Sequence, residues 1–225
     1  MDVFLDQSLG EDAALAQLQR HDLSPQVFDA LSKNGAALKS RKVRLAIVQH
    51  PRAPRHVALP MLRHLFTFEL MQVALTPLTP ADIKLAAEEA LIHRLESVSS
   101  GEKLSLAHRA SGRVAAELLR DAEARVMQAA LENARLTEAA VVKALIHADA
   151  PAALVRAVAH HEKWSLRREV RAALLRSEHT PGERAAEFVL SFSAAQAREI
   201  LEGSDLAEER KSQLLNAIAD RVAGR

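Results

Sequence analysis

The chain has 225 residues and a mass of 24.6 kDa, enough to bury well over half of its unfolded surface without a disulfide or metal staple. It contains no cysteine, which excludes thiol nucleophiles, thiolate metal sites and a disulfide framework and leads us to expect a cytoplasmic protein. With 30 basic and 29 acidic residues, one Trp, six Phe and no Tyr, it is neither a strongly basic nucleic-acid packer nor rich in stacking platforms.

The N-terminus, MDVFLDQSLGEDAALAQ, places Asp2 and Asp6 ahead of any basic run, so no signal peptide is expected. Helical periodicity, with apolar residues at i, i+3, i+4 and i+7, then runs through almost the whole chain, and no segment alternates as a strand would. Breaks are expected at 34–35, 51–54, 77–80, 99–101, 149–151, 180–181 and 203–205, where Gly, Pro, Asn and Ser gather. The weakly charged stretch 65–81 is interrupted by Glu69, Pro77 and Pro80 and falls short of the roughly 20 apolar residues of a membrane span, so no membrane partner is expected. Helix starts are predicted from N-cap chemistry at Thr79 before Pro80, Thr137 before Glu138, Thr180 before Pro181, and Asp205. Residues 96–112, ESVSSGEKLSLAHRASG, form the least helical-looking stretch and the natural place for a hinge.

An internal repeat organises these helices. Residues 43–95 lie over 170–222 without a gap at an offset of 127, with eight identities: Val43/Val170, Arg44/Arg171, Ala46/Ala173, Pro54/Pro181, Ala58/Ala185, Lys84/Lys211, Ala90/Ala217 and Arg94/Arg221. A partial third copy begins at Val126, setting Asn133 opposite His50 and Thr137 opposite Pro54. The common unit is a helix, a tight polar turn and a second helix, and such hairpins bury their apolar stripes only by stacking on neighbours. The segments VRLAIVQHPRAP, RVMQAALENARLT and VRAALLRSEHTP thus resemble the HEAT-like and armadillo-like repeat class, including degenerate bacterial versions of it. That resemblance implies an all-α, right-handed α-solenoid of about five or six stacked hairpins. We expect one domain over 1–225, with capping helices at 1–40, matching units at 41–95 and 170–222, and central repeats at 96–169.

Charge is unevenly spread. Between Ala30 and Phe68 there is no acid, while eight Lys and Arg residues, among them Arg41, Arg44, Arg52, Arg55 and Arg63, make the region basic. From Glu178 onward nine acids face six bases. The five arginines are therefore the expected electrostatic contacts for an acidic partner, or else a solvated face whose arginines pair with acids elsewhere. A second expected patch is Trp164, Arg168 and Arg171 in WSLRREVR, spaced i, i+4, i+7 on one helical face, with Trp164 as a core packer the competing reading. The size and helical repeats also resemble the HEAT-like alkylpurine DNA glycosylases. Those enzymes line a basic groove with several aromatics and an acid, whereas Trp164 stands alone here, so no catalytic residue is carried over.

No catalytic, cofactor or metal motif is present. His160, His161 and Glu162 are adjacent rather than spaced i, i+4, and paired acids such as Glu88 and Glu89 read as solvated faces. Glycines are scattered singly, so no phosphate-cradling loop forms. His50, His147 and His179 sit near predicted helix ends, where an imidazole can meet the C-terminal dipole. The function this implies is a non-enzymatic protein-interaction scaffold, without cofactor or metal, acting as a monomer or weak homo-oligomer. Nucleic-acid binding is the alternative, and head-to-tail contact between the basic and acidic ends a third possibility.

Overall fold

A computed structural model describes residues 10–223, and among these every regular element is helical. The chain is all-α. Its contacts fall into two compact units divided between Ser99 and Ser100.

The first unit holds α1 (Glu11–Leu18), α2 (Pro25–Lys33), α3 (Gly35–Lys39), α4 (Arg41–Gln49), α5 (Arg55–Leu62), α6 (Thr67–Leu75) and α7 (Ala81–Arg94). The second holds α8 (Ser100–Arg109), α9 (Gly112–Leu118), α10 (Ala124–Leu131), α11 (Glu138–Leu145), α12 (Ala152–His160), α13 (Arg168–Leu175), α14 (Gly182–Val189), α15 (Ala194–Glu202) and α16 (Glu208–Ala223). Most of these helices are two to three turns long, too short to persist alone in water, so packing and capping must hold them.

The repeat is visible in the elements themselves. α13, α14, α15 and α16 begin 127 residues after α4, α5, α6 and α7 respectively, and α5/α14 and α6/α15 match in length. Their neighbours correspond as well. α4 touches α5 and α6, and α7 touches α5 and α6, just as α13 touches α14 and α15, and α16 touches α14 and α15. Within the second unit α9, α11, α13 and α15 follow one another as neighbours, while α10 lies between α8 and α12.

Within each unit, side chains stitch hairpins to those before them. His50 Nε2 lies 2.9 Å from the Arg20 carbonyl and Thr79 Oγ1 donates to the Gln49 carbonyl. Arg94 Nη1 donates to Leu65, Asn133 Nδ2 to Ala107, Trp164 Nε1 to Leu131, Arg184 Nε to Ala159 and Arg210 Nη2 to Thr180. Each bond reaches back 25 to 33 residues, and most of them end on carbonyls at or just past a helix C-terminus, groups with no donor inside their own helix. His50 and Asn133 play one role: the His50 Nδ1 accepts from the Arg52 amide and the Asn133 Oδ1 from the Arg135 amide, while the far end of each ring or amide reaches the preceding hairpin. The acceptor role of Nδ1 puts the His50 proton on Nε2, where it donates to Arg20. A hydrogen-bonding role thus stands where a dipole contact was expected.

Several local expectations need correction. Thr137 caps α11, accepting from the Ala140 amide, but Thr79 and Thr180 do not cap the helices that follow them. Both are buried, and the Thr180 hydroxyl donates backward to the Leu174 carbonyl at 2.6 Å. Residues 96–112 are not an irregular stretch: α8 occupies 100–109, and Leu106 and Ala107 are fully buried. The segment around Trp164 is not one helix either, because residues 162–166 turn and Arg167 is the N-cap of α13.

Candidate functional site

The five arginines of the basic region divide by what meets them. Arg41, the first residue of α4, sends Nε and Nη2 to Glu69 Oε1 at 3.0 and 2.9 Å and lies 3.9 Å above the Phe66 ring. The other Glu69 oxygen accepts from the Phe66 amide at 2.7 Å, so the carboxylate caps α6 and anchors Arg41 together. Arg55, the first residue of α5, pairs with Asp82 in the first turn of α7, and the hydrogen bond from its guanidinium pulls the Asp82 carboxyl below the usual carboxylate range. Arg52 is exposed in the turn after α4, where its charge helps Arg20 hold the Asp22 carboxyl low.

Arg44 and Arg63 are placed differently. Together with His56, His64 and Ser32 they line a groove of about 380 Å³ in the first unit, over a floor of Leu38, Val57, Pro60 and Met61. α4 contributes Arg44. α5 contributes Val57, Pro60 and Met61 of the floor and α3 contributes Leu38, and the turn after α5 carries Arg63 and His64. Pro60, inside α5, has no amide hydrogen and leaves the His56 carbonyl without its in-helix donor. Beside this rim, Asp29 sits 2.7 Å from His56 Nε2. Arg63 Nε donates to His64 Nε2 at 3.0 Å. Arg44 Nε is sealed from solvent, and among the described residues nothing accepts from it.

The second expected patch dissolves on folding. Trp164 is 2% exposed, its ring nitrogen spent on the Leu131 carbonyl at 2.8 Å and its ring covered by Lys163 Nζ 4.0 Å above it. Arg168 leans over Phe192 with 5.2 Å to the ring centre, and Arg171 over Phe188 with Nε donating to the Ser165 carbonyl at 2.6 Å. Trp164 is therefore a core residue offering no ring face to a ligand, and Arg171 is engaged inside the fold.

A larger groove of about 720 Å³ in the second unit sets Glu132 and Glu162 among Arg125, His160, His161 and Lys163, and Glu132 lies 3.1 Å from His161 Nε2. Its charges oppose one another within the groove. No three His, Asp or Glu side chains among the described residues converge as metal ligands would, and none of the described helices is long and apolar enough to cross a membrane.

Glu69 and Asp82, which answer Arg41 and Arg55, lie 28 and 27 residues further along the sequence and outside the acid-free window. The sequence signal for them is an acid 27 or 28 residues after each arginine. Compared with protein families, curated proteins and solved structures, the chain matches none significantly.

Proposed function

We propose that the chain is a non-enzymatic, cytoplasmic scaffold of the HEAT-like repeat class, a right-handed α-solenoid that receives an acidic protein partner at the basic groove between α4 and α5. The recurrence of four helices with correspondingly spaced starts and the same neighbours supports the repeat reading. The observation that carries the binding reading is the groove itself, in which Arg44, Arg63, His56 and His64 gather over an aliphatic floor. Arg41 and Arg55 are neutralised by Glu69 and Asp82, which shortens the run of cations that a nucleic-acid backbone would need.

Fluorescence anisotropy of a labelled Glu/Leu-rich peptide, duplex DNA, single-stranded DNA and RNA, at about 50 and 200 mM salt, tests this reading. The peptide should bind saturably and the nucleic acids should not. Saturable nucleic-acid binding whose log–log salt slope approaches roughly 0.9 per phosphate, with no peptide binding, contradicts it.

A further inference from the structure

The two copies of the four-helix unit carry an arginine at the same place but treat it in opposite ways. Arg44 is the fourth residue of α4 and Arg171 the fourth residue of α13. In the second unit Arg171 is satisfied from within, by the Ser165 carbonyl and the Phe188 ring. At the corresponding positions of the first unit stand Leu38 and Met61, both lining the groove, and among the described residues the Arg44 Nε, closed off from solvent, has no acceptor although the rest of the half-buried side chain lines the groove. A charged donor closed off from water without an acceptor is costly, and folded chains seldom keep one.

The rim diverges in the same sense. His56, Arg63 and His64 of the first unit correspond to Glu183, Leu190 and Ser191 of the second, and Pro60 corresponds to Glu187, which pairs with Arg184. One copy has therefore filled the position with its own polar groups and acids. The other lacks those internal partners for Arg44 and is edged by Arg63 and two histidines.

We infer that the groove of the first unit seats one acidic side chain of a partner polypeptide, with the Arg44 guanidinium as its anchor. This rests on the scaffold reading and names the group recognised. A carboxylate supplies acceptor oxygens to the part of the Arg44 guanidinium that lines the groove, in the forked geometry a guanidinium favours. The aliphatic floor of Leu38, Val57, Pro60 and Met61 suits the methylenes of that side chain and an apolar neighbour. Asp29, held by His56, adds a negative charge at the rim that a doubly charged phosphoryl group would meet and a single carboxylate meets less.

Arginine side-chain NMR on the full chain reads this directly. The Arg44 Nε–H resonance is assigned by its absence in Arg44→Lys, and the probes are N-acetyl-Leu-Glu-Leu-amide, its Gln analogue and inorganic phosphate. We expect the Glu tripeptide to shift the Arg44 resonance saturably and leave Arg171 in place, with no response to the Gln analogue. Arg44→Gln should weaken binding about tenfold or more, the scale of a lost charged hydrogen bond, and Arg63→Gln should weaken it too. If the tripeptide saturates resonances elsewhere and leaves Arg44 unmoved, the scaffold reading stands and the anchor falls. If it binds nowhere, both fall. If phosphate moves Arg44 at lower concentration than the tripeptide, the ligand group is a phosphoryl and the inference is overturned.

Discussion

Gly112 opens α9 so close to the Arg135 carbonyl that a Cβ would lie 2.2 Å from that oxygen, whereas Gly182, which opens α14, has nothing within 4 Å. Both have negative φ, so the difference is one of space and not of backbone conformation. Gly112→Ala should destabilise the fold by about 1–3 kcal/mol, as overpacking does, because the obstacle is backbone. Gly182→Ala should be neutral or stabilise by up to about 1 kcal/mol. Urea denaturation of the pair separates the two, and equal effects would show that α9 does not make this approach. At Asp82 the prediction concerns pH. Its carboxyl is held low by Arg55, so whatever stability the pair contributes is present above the ordinary carboxylate range and is lost as pH falls through the depressed folded-state value. In Arg55→Gln the Asp82 midpoint should rise toward the usual range in a carboxyl NMR titration. An unchanged midpoint would mean that the two side chains do not pair in solution.

Among the elements, stability rests on caps and stitches because the helices are short. Asn133 is 1% exposed and serves the Ala107 and Ala110 carbonyls and the Arg135 amide, while the hydroxyl of Ser177, its counterpart in the last copy, accepts from the His179 amide. Asn133→Ala should therefore cost about 2–4 kcal/mol, from several buried groups left unpaired, and Ser177→Ala less than about 1 kcal/mol. Thermal unfolding ranks them, and a reversed order would contradict the stitched hairpins. How much of this could be read in the sequence depended on the chemistry of each break. Boundaries marked by Pro or Gly, such as 51–54 and 77–80, were legible, and so was the opposition of His50 to Asn133. The starts of α4, α9 and α15 were not, because each is marked chiefly by a single capping serine (Ser40, Ser111 and Ser193) with no Pro beside it. Residues 96–112 looked irregular for their Ser and Gly content, yet Leu106 and Ala107 anchor a helix there through burial that composition does not report. WSLRREVR looked like one helix because its spacing fits, and the turn that buries Trp164 is set by a carbonyl 33 residues away.

For the molecule as a whole, the charge balance is arranged across repeats rather than within segments. The acid-free window 30–68 suggested a continuous basic face, but Asp29, Glu69 and Asp82 reach into it from neighbouring helices and leave Arg44 and Arg63 as the cations of one groove. The groove residues were thus legible as arginines in a basic stretch. Their separation from Arg41 and Arg55 was not, since it depends on which helix packs beside which. The same logic predicts that ligand binding follows the groove and not the net charge. The measurement that tests this most directly is anisotropy of the labelled Glu/Leu-rich peptide against the unmodified chain, Arg41→Gln and Arg44→Gln at about 50 mM salt. Both variants remove one positive charge. We predict that Arg44→Gln weakens binding about tenfold or more, while Arg41→Gln, whose charge Glu69 already offsets, changes it less than about twofold. Equal losses in the two variants would mean that diffuse charge holds the peptide, and would contradict a built anion-binding site at Arg44.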